Sequence, residues 1–135
     1  MQTPPAADLG NAVTVRTYPG TPDQVRQVRD DLRRILDRCP IADDVILCAS
    51  ELAANAMVHS NSRHPGRAIT VRCEISQGDN VRIQVDDDGG PWNEPAPGPA
   101  RGRGLDIVCA LANEWAITTT PHGRAVSARL NWNSR

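Results

Sequence analysis

At 135 residues the chain has room for one domain with a sizeable core and not for two. Its formal net charge of -1 argues against a broad nucleic-acid or membrane-binding surface, and all 15 basic residues are arginine, so the lysine of a Walker-type phosphate loop is missing. Four cysteines (Cys39, Cys48, Cys73 and Cys109) without a Cys-x-x-Cys pair, no apolar run near the roughly 18 residues that span a bilayer, and no signal-like amino terminus together predict reduced core thiols in a cytoplasmic protein.

Residues 1–11 are Pro-rich with little to bury and read as a flexible tail, leaving 12–135 as a single domain. Val13 and Val15 alternate with Thr14 and Arg16 in a short strand that ends at Tyr18-Pro19-Gly20. Thr21-Pro22-Asp23 offers an N-cap, a proline at the first helical position and an acid in the first turn. Val25, Val28, Leu32, Ile35 and Leu36 then recur at helical spacing. Arg26, Arg29, Asp30, Arg33, Arg34 and Asp37 fill a face that reads as solvated surface.

A second helix is expected from about Ile41 to Ser60, after Pro40. Its apolar residues cover most of the circumference, as in a helix buried on several sides. Glu51, Asn55 and His59 lie on it at i, i+4 and i+8 and so share one stripe. Buried polar groups need partners, and none of the three has an arginine one turn away, so the stripe reads as the wall of a polar pocket.

Ile69, Val71, Cys73 and Ile75 alternate with polar residues, Gly78-Asp79-Asn80 turns the chain, and Val81, Ile83 and Val85 alternate on the way back, making a hairpin. Continuing that period of two puts Asp87 on the face of Val81, Ile83 and Val85, and turns Asp86 and Asp88 away. An acid aimed at the covered side of a sheet is unusual, so Asp87 is expected to recognise something. Gly89-Gly90-Pro91 follows, where backbone can approach a ligand closely.

Arg101-Gly102-Arg103-Gly104 opens a third helix with Leu105, Val108, Leu111 and Ala112 as its apolar stripe. Free N–H groups at the positive end of a helix dipole form a natural seat for phosphate. A strand from about Trp115 to Thr119, a turn at Pro121-His122-Gly123, and a last strand with Val126, Ala128, Leu130 and Trp132 inward complete the chain.

The ordered set Glu51/Asn55/His59, Asp87-Asp88-Gly89-Gly90 and Gly102-Arg103-Gly104-Leu105 resembles the N, G1 and G2 boxes of the Bergerat-fold (GHKL) ATPase superfamily, which includes gyrase, histidine kinases and anti-sigma-factor serine kinases. Glu-Leu-x-x-Asn-Ala-x-x-His and Gly-Arg-Gly-Leu-x-x-Val are similar to the compact anti-sigma-factor serine/threonine kinase branch, over the span from Val13 to Trp132. The resemblance implies an α+β two-layer sandwich: a mixed, mostly antiparallel sheet with three helices on one face. It also implies roles. Asn55 would present its amide oxygen to Mg2+, and Asp87 would accept a hydrogen bond from the adenine of ATP, with Gly89 leaving room for the ring. Gly102, Arg103, Gly104 and Leu105, beside Arg101, would hold the phosphates, and Glu51 would act as general base or orienting group for an attacking serine hydroxyl. His59 reads as a structural residue.

The chain departs from the family pattern twice. Pro91 stands where the G1 box has its second glycine and the loop to Gly102 is short, which implies that there is no large lid. Gly123-Arg124-Ala125 stands where many relatives carry a threonine, a lost hydroxyl that implies an adenine contact weaker by about 1 kcal/mol. By resemblance the chain is an ATP- and Mg2+-dependent kinase that binds a sigma factor, phosphorylates an anti-sigma-factor antagonist of the STAS type and forms a homodimer, with no direct nucleic-acid or membrane contact. The alternative is a non-catalytic, nucleotide-responsive adaptor for the same partners.

Overall fold

Alternating apolar and polar residues build the sheet, and turn residues set its order. The computed structural model describes residues 11–59, 68–87, 107–108, 110–120 and 123–132. Five strands, β1 (Asn11–Pro19), β2 (Ala68–Ser76), β3 (Asn80–Asp87), β4 (Glu114–Thr120) and β5 (Gly123–Asn131), form one sheet in the order β1-β2-β3-β5-β4. All four described pairings are antiparallel, so no parallel pair of the expected mixed sheet occurs among the described residues. The β2–β3 hairpin closes as expected, with Gly78 at φ 82°, in the left-handed region that glycine enters without a Cβ penalty. Because β3 and β4 both run antiparallel to β5, they run the same way with β5 between them, and the chain must cross over the sheet to join them.

Two α-helices, α1 (Val25–Ile35) and α2 (Ala42–His59), are described. Of the third expected helix, residues 107, 108, 110 and 111 are helical, with Val108 fully buried, and its opening lies outside the described residues. α1 follows a 3-10 turn over Pro22–Gln24. Thr21 makes no side-chain cap; its carbonyl accepts from the Gln24 N–H at 2.9 Å instead. Val25, Val28, Leu32 and Leu36 face the core, and the arginine-rich face is exposed, as its spacing predicts.

α2 packs against α1 on one side and against β2, β3 and β5 on the other. Val45, Ile46, Cys48, Ala49, Leu52, Ala53, Ala56 and Met57 are buried, which explains why apolar residues run most of the way round it. The sheet meets them with Ile69, Val71, Cys73 and Ile75 from β2, Val81, Ile83 and Val85 from β3, and Val126, Ala128 and Leu130 from β5. Each large side chain buried this way contributes roughly 1.5–3 kcal/mol. Cys39, Cys48 and Cys73 are buried free thiols; burial pushes Cys48 up to about 11 and Cys73 up to about 12, so neither is a ready thiolate at neutral pH.

The edge strand β1 departs from the simple pattern. Val13 and Val15 are 58% and 52% exposed, on the sheet face away from the helices, opposite Glu74 and Arg72 of β2. Tyr18 decides this: it is buried toward α1, and a period of two then turns residues 13 and 15 outward. Of the expected tail, Asn11 instead opens β1 and residues 1–10 lie outside the described residues.

Candidate functional site

α2 carries two polar side chains one turn apart, Glu51 and Asn55, both half-buried. Among the described residues neither makes a side-chain hydrogen bond or an ion pair. Ser50, beside them, is fully accounted for: its Oγ donates back to the Ile46 and Leu47 carbonyls at 2.8 and 3.0 Å, the usual way a buried hydroxyl is satisfied on a helix. A carboxylate and an amide held half-buried without such partners are available for a ligand. An amide oxygen is also a donor that Mg2+ accepts, with phosphate oxygens and water completing its shell, so Asn55 fits the metal that the sequence implies.

Asp87 ends β3, the central strand against which α2 packs. It is buried on the face of Val81, Ile83 and Val85, as the period of two predicts, while Asp86 is half-buried on the other side. It does not wait for a ligand alone. The antiparallel register sets Asp87 opposite Arg124 of β5, and the Arg124 Nη2 donates to Asp87 Oδ2 at 3.1 Å. Both side chains are sealed, at 1% exposure for Arg124 and 0% for Asp87. Charge-assisted bonding of this kind is what permits two charges to sit without water.

Arg124 is the functional candidate that reading along the chain missed. The inward alternation of Val126, Ala128 and Leu130 carries a signal for it: two residues back from Val126, and two on from its partner Val85, lie Arg124 and Asp87. Only the pairing of β3 with β5 turns that into a contact. Gly89, Arg101, Gly102, Arg103, Gly104 and Leu105 lie outside the described residues, as does the His59 side chain. Glu51, Asn55 and Asp87 are thus carried by one helix and one strand that pack together.

A second polar cluster lies at the β1 edge of the sheet, between β1 and α1. Asp31 is buried there, although its neighbours Asp30, Arg33 and Arg34 are exposed. Its carboxylate accepts from the Tyr18 hydroxyl at 2.7 Å, from Gln27 Nε2 at 2.9 Å and from Arg34 Nη2. Burial pushes the Asp31 carboxyl up, but the bonds from Tyr18 and Gln27 and the charges of Arg16 and Arg34 outweigh it and hold it below the usual range. Burial, reinforced by the bond to Asp31, pushes the Tyr18 hydroxyl up. An open groove of about 470 Å3 runs past this cluster, lined by Arg16, Tyr18, Gln24, Gln27, Asp31 and Arg34 among others, and contains none of Glu51, Asn55 and Asp87. Among the described residues no three acidic, histidine or cysteine side chains group as a metal site, and no helix is long and apolar enough to cross a membrane.

The sequence profile of the histidine kinase-like ATPase domain family matches residues 18–130, which take in both helices, β2 to β5 but for the last residue, and only the end of β1. Among solved structures, the RsbU and RsbW domains of Rv1364c from Mycobacterium tuberculosis are similar at 24% identity over 88% of this chain and 32% of that one, with a TM-score of 0.69. The blue-light activated histidine kinase of Erythrobacter litoralis EL346 is similar at 20% identity over 84% of this chain and 42% of that one, with a TM-score of 0.56. The histidine kinase domain of the same protein gives 20% identity, 84% and 61% coverage and a TM-score of 0.50. At such identities the likeness is one of fold, and the chain spans between about a third and three fifths of the length of these structures.

Proposed function

The chain belongs to the histidine kinase-like ATPase domain family, and from that premise we propose that it is an ATP- and Mg2+-dependent serine/threonine protein kinase of the anti-sigma-factor type. The observation that carries this reading is the pair Glu51 and Asn55, half-buried and without protein partners among the described residues, on the helix packed against the strand that ends in Asp87. The order Glu-Leu-x-x-Asn-Ala-x-x-His and the fold likeness to a structure containing an RsbW domain support the anti-sigma-factor branch over a histidine kinase.

In this reading Asn55 holds the metal through its amide oxygen, Asp87 accepts a hydrogen bond from the base, and Gly89 leaves space for the ring. Arg101, Gly102, Arg103, Gly104 and Leu105 hold the phosphates with backbone N–H groups and arginine charge. Bound Mg2+ supplies charge neutralisation at the phosphates. Glu51, one turn from Asn55, takes or orients the proton of the attacking hydroxyl. The partners are a sigma factor and a STAS-type antagonist that carries the acceptor serine, in the cytoplasm, with the kinase as a homodimer.

Incubating the purified chain with labelled Mg-ATP and a candidate antagonist tests the reading. Transfer of label to the antagonist, lost in Glu51→Ala while ATP still binds, supports the kinase. Binding of ATP with no transfer to any antagonist overturns the kinase and supports a nucleotide-responsive adaptor. Asn55→Ala and Asp87→Asn abolish nucleotide binding under both.

A further inference from the structure

The groove of about 470 Å3 between β1 and α1 plays no part in the nucleotide reading, and its lining shows which side of the strand it follows. Four consecutive residues of β1, Arg16 to Pro19, line it. Their side chains alternate between the two faces of the sheet: Tyr18 is buried toward α1, while the Thr17 and Thr70 hydroxyls bond at 3.2 Å on the far face. A groove that touches all four runs along the strand's backbone, and it lies on the side away from β2, since no described residue of β2 lines it. That side is the free edge of the sheet, β1 being first in the strand order.

The charged groups that open onto the groove are of one sign. Asp31, the acid in its wall, is 5% exposed at the side chain and already takes bonds from Tyr18, Gln27 and Arg34. Arg16 is exposed and has no hydrogen bond or ion pair among the described residues, so its charge is left over once Asp31 is satisfied. Arg34 is 65% exposed and gives Asp31 one nitrogen, keeping its other guanidinium donors.

We propose that this groove docks an extended acidic segment of a partner protein, which adds as a further strand to β1 and sets carboxylates against Arg16 and Arg34. A guanidinium fork takes a carboxylate or a phosphate with two parallel bonds, and the strand edge decides between them. It offers backbone N–H and C=O groups in a row, which match another backbone and not a phosphate or a nucleic acid. A second copy of β1 does not supply the charge, because Asn11–Pro19 contains no acid to meet Arg16. None of Glu51, Asn55 and Asp87 lines the groove, so the inference stands or falls apart from the nucleotide site.

The probe is a fluorescein-labelled peptide of about ten residues, enough to run the length of a strand, in which Glu alternates with Val and Thr. It is titrated against the whole chain by anisotropy, beside the same peptide with Lys in place of Glu and copies N-methylated at every second residue in either phase. The Glu peptide binds, the Lys peptide binds at least about tenfold more weakly, and Arg16→Ala weakens the Glu peptide about tenfold, the scale of one charge-assisted bond. Arg16→Glu reverses the order of the two peptides, and methylation in one phase removes most of the binding. Arg26→Ala, which changes an exposed arginine of α1 outside the groove, leaves the affinity as it was. Thermal melts confirm that each variant is folded; if Arg16→Glu does not fold, Arg16→Ala carries the comparison. A Glu peptide that fails to bind at millimolar concentration, binds no better than the Lys peptide, or binds Arg16→Ala as tightly as the wild type overturns the proposal. Methylated peptides that bind as tightly as the parent in both phases also overturn it, because charge alone would then hold the segment. Inorganic phosphate or a single-stranded oligonucleotide that displaces the probe at lower concentration than the unlabelled peptide does overturns it in favour of a site for phosphate or nucleic acid.

Discussion

Asp31 and Asp87 are both buried carboxylates on the helix side of the same sheet, and both are held by an arginine, yet they are built for different ends. Asp31 gathers three donors, two of them from its own helix at i-4 and i+3 and one from β1. Its arginine, Arg34, is 65% exposed, so the charge is partly screened and the cluster ties α1 to the edge strand. Asp87 shares a sealed contact with one arginine from a neighbouring strand, next to the helix that carries Glu51 and Asn55. Many local bonds to a buried carboxylate whose arginine is exposed make a structural pin. A sealed contact between two dry charges is one whose loss cannot be absorbed by water. The difference teaches that what surrounds a buried charge says more about its role than the charge itself.

That contrast can be broken at either end. Arg124→Met alone should lower unfolding free energy by about 3–5 kcal/mol, because it leaves Asp87 buried without its counter-charge, and adding Asp87→Asn should recover part of the loss. Denaturant titration of the two single variants and the double variant measures this; a cost below about 1 kcal/mol for Arg124→Met would mean that the pair is not sealed in solution. Asp31→Ala, which strands the Tyr18 hydroxyl, should cost less, about 2 kcal/mol, and Tyr18→Phe about 1–2 kcal/mol.

A dependence on pH should separate the ends further. The folded-state carboxyl of Asp31 lies below its unfolded value, so its contribution is present above the ordinary aspartate value of about 3.9 and is lost as pH falls through the folded value. Tyr18 is shifted up, so its contribution is present below the ordinary tyrosine value of about 10 and is lost as pH rises past it. Melting temperatures across both ranges should fall at each extreme, and Asp31→Asn should flatten the acid edge and only reduce the alkaline one, where burial of Tyr18 is the first cause. At the bottom of the scale, Arg72→Ala removes an exposed same-face partner of Glu74 and should cost less than about 1 kcal/mol, within the scatter of a melting experiment.

Much of this was legible along the chain because it depends on local periodicity. The buried faces of β2, β3 and β5, the turn at Gly78, the nearly all-round apolar surface of α2 and the inward aim of Asp87 each follow from residues within one element. Reading failed where a neighbour decides. Asp31 sits among charges that spell a solvated face, and only Tyr18 from another element makes it a buried acceptor. Val13 and Val15 carry a strand pattern but face outward, because Tyr18 on the same strand holds the inward side. The N-cap at Thr21 was plausible by residue type, and a 3-10 turn closed by backbone bonds took its place.

By itself, then, the order of residues determined the elements, the sheet-and-helix architecture and the family, since a side chain's face along a helix or strand is fixed by a period that needs no knowledge of the rest. Tertiary structure alone decided that Arg124 meets Asp87 across 37 positions of chain. Strand pairing is chosen by burial summed over the whole sheet, and no local stretch carries that sum.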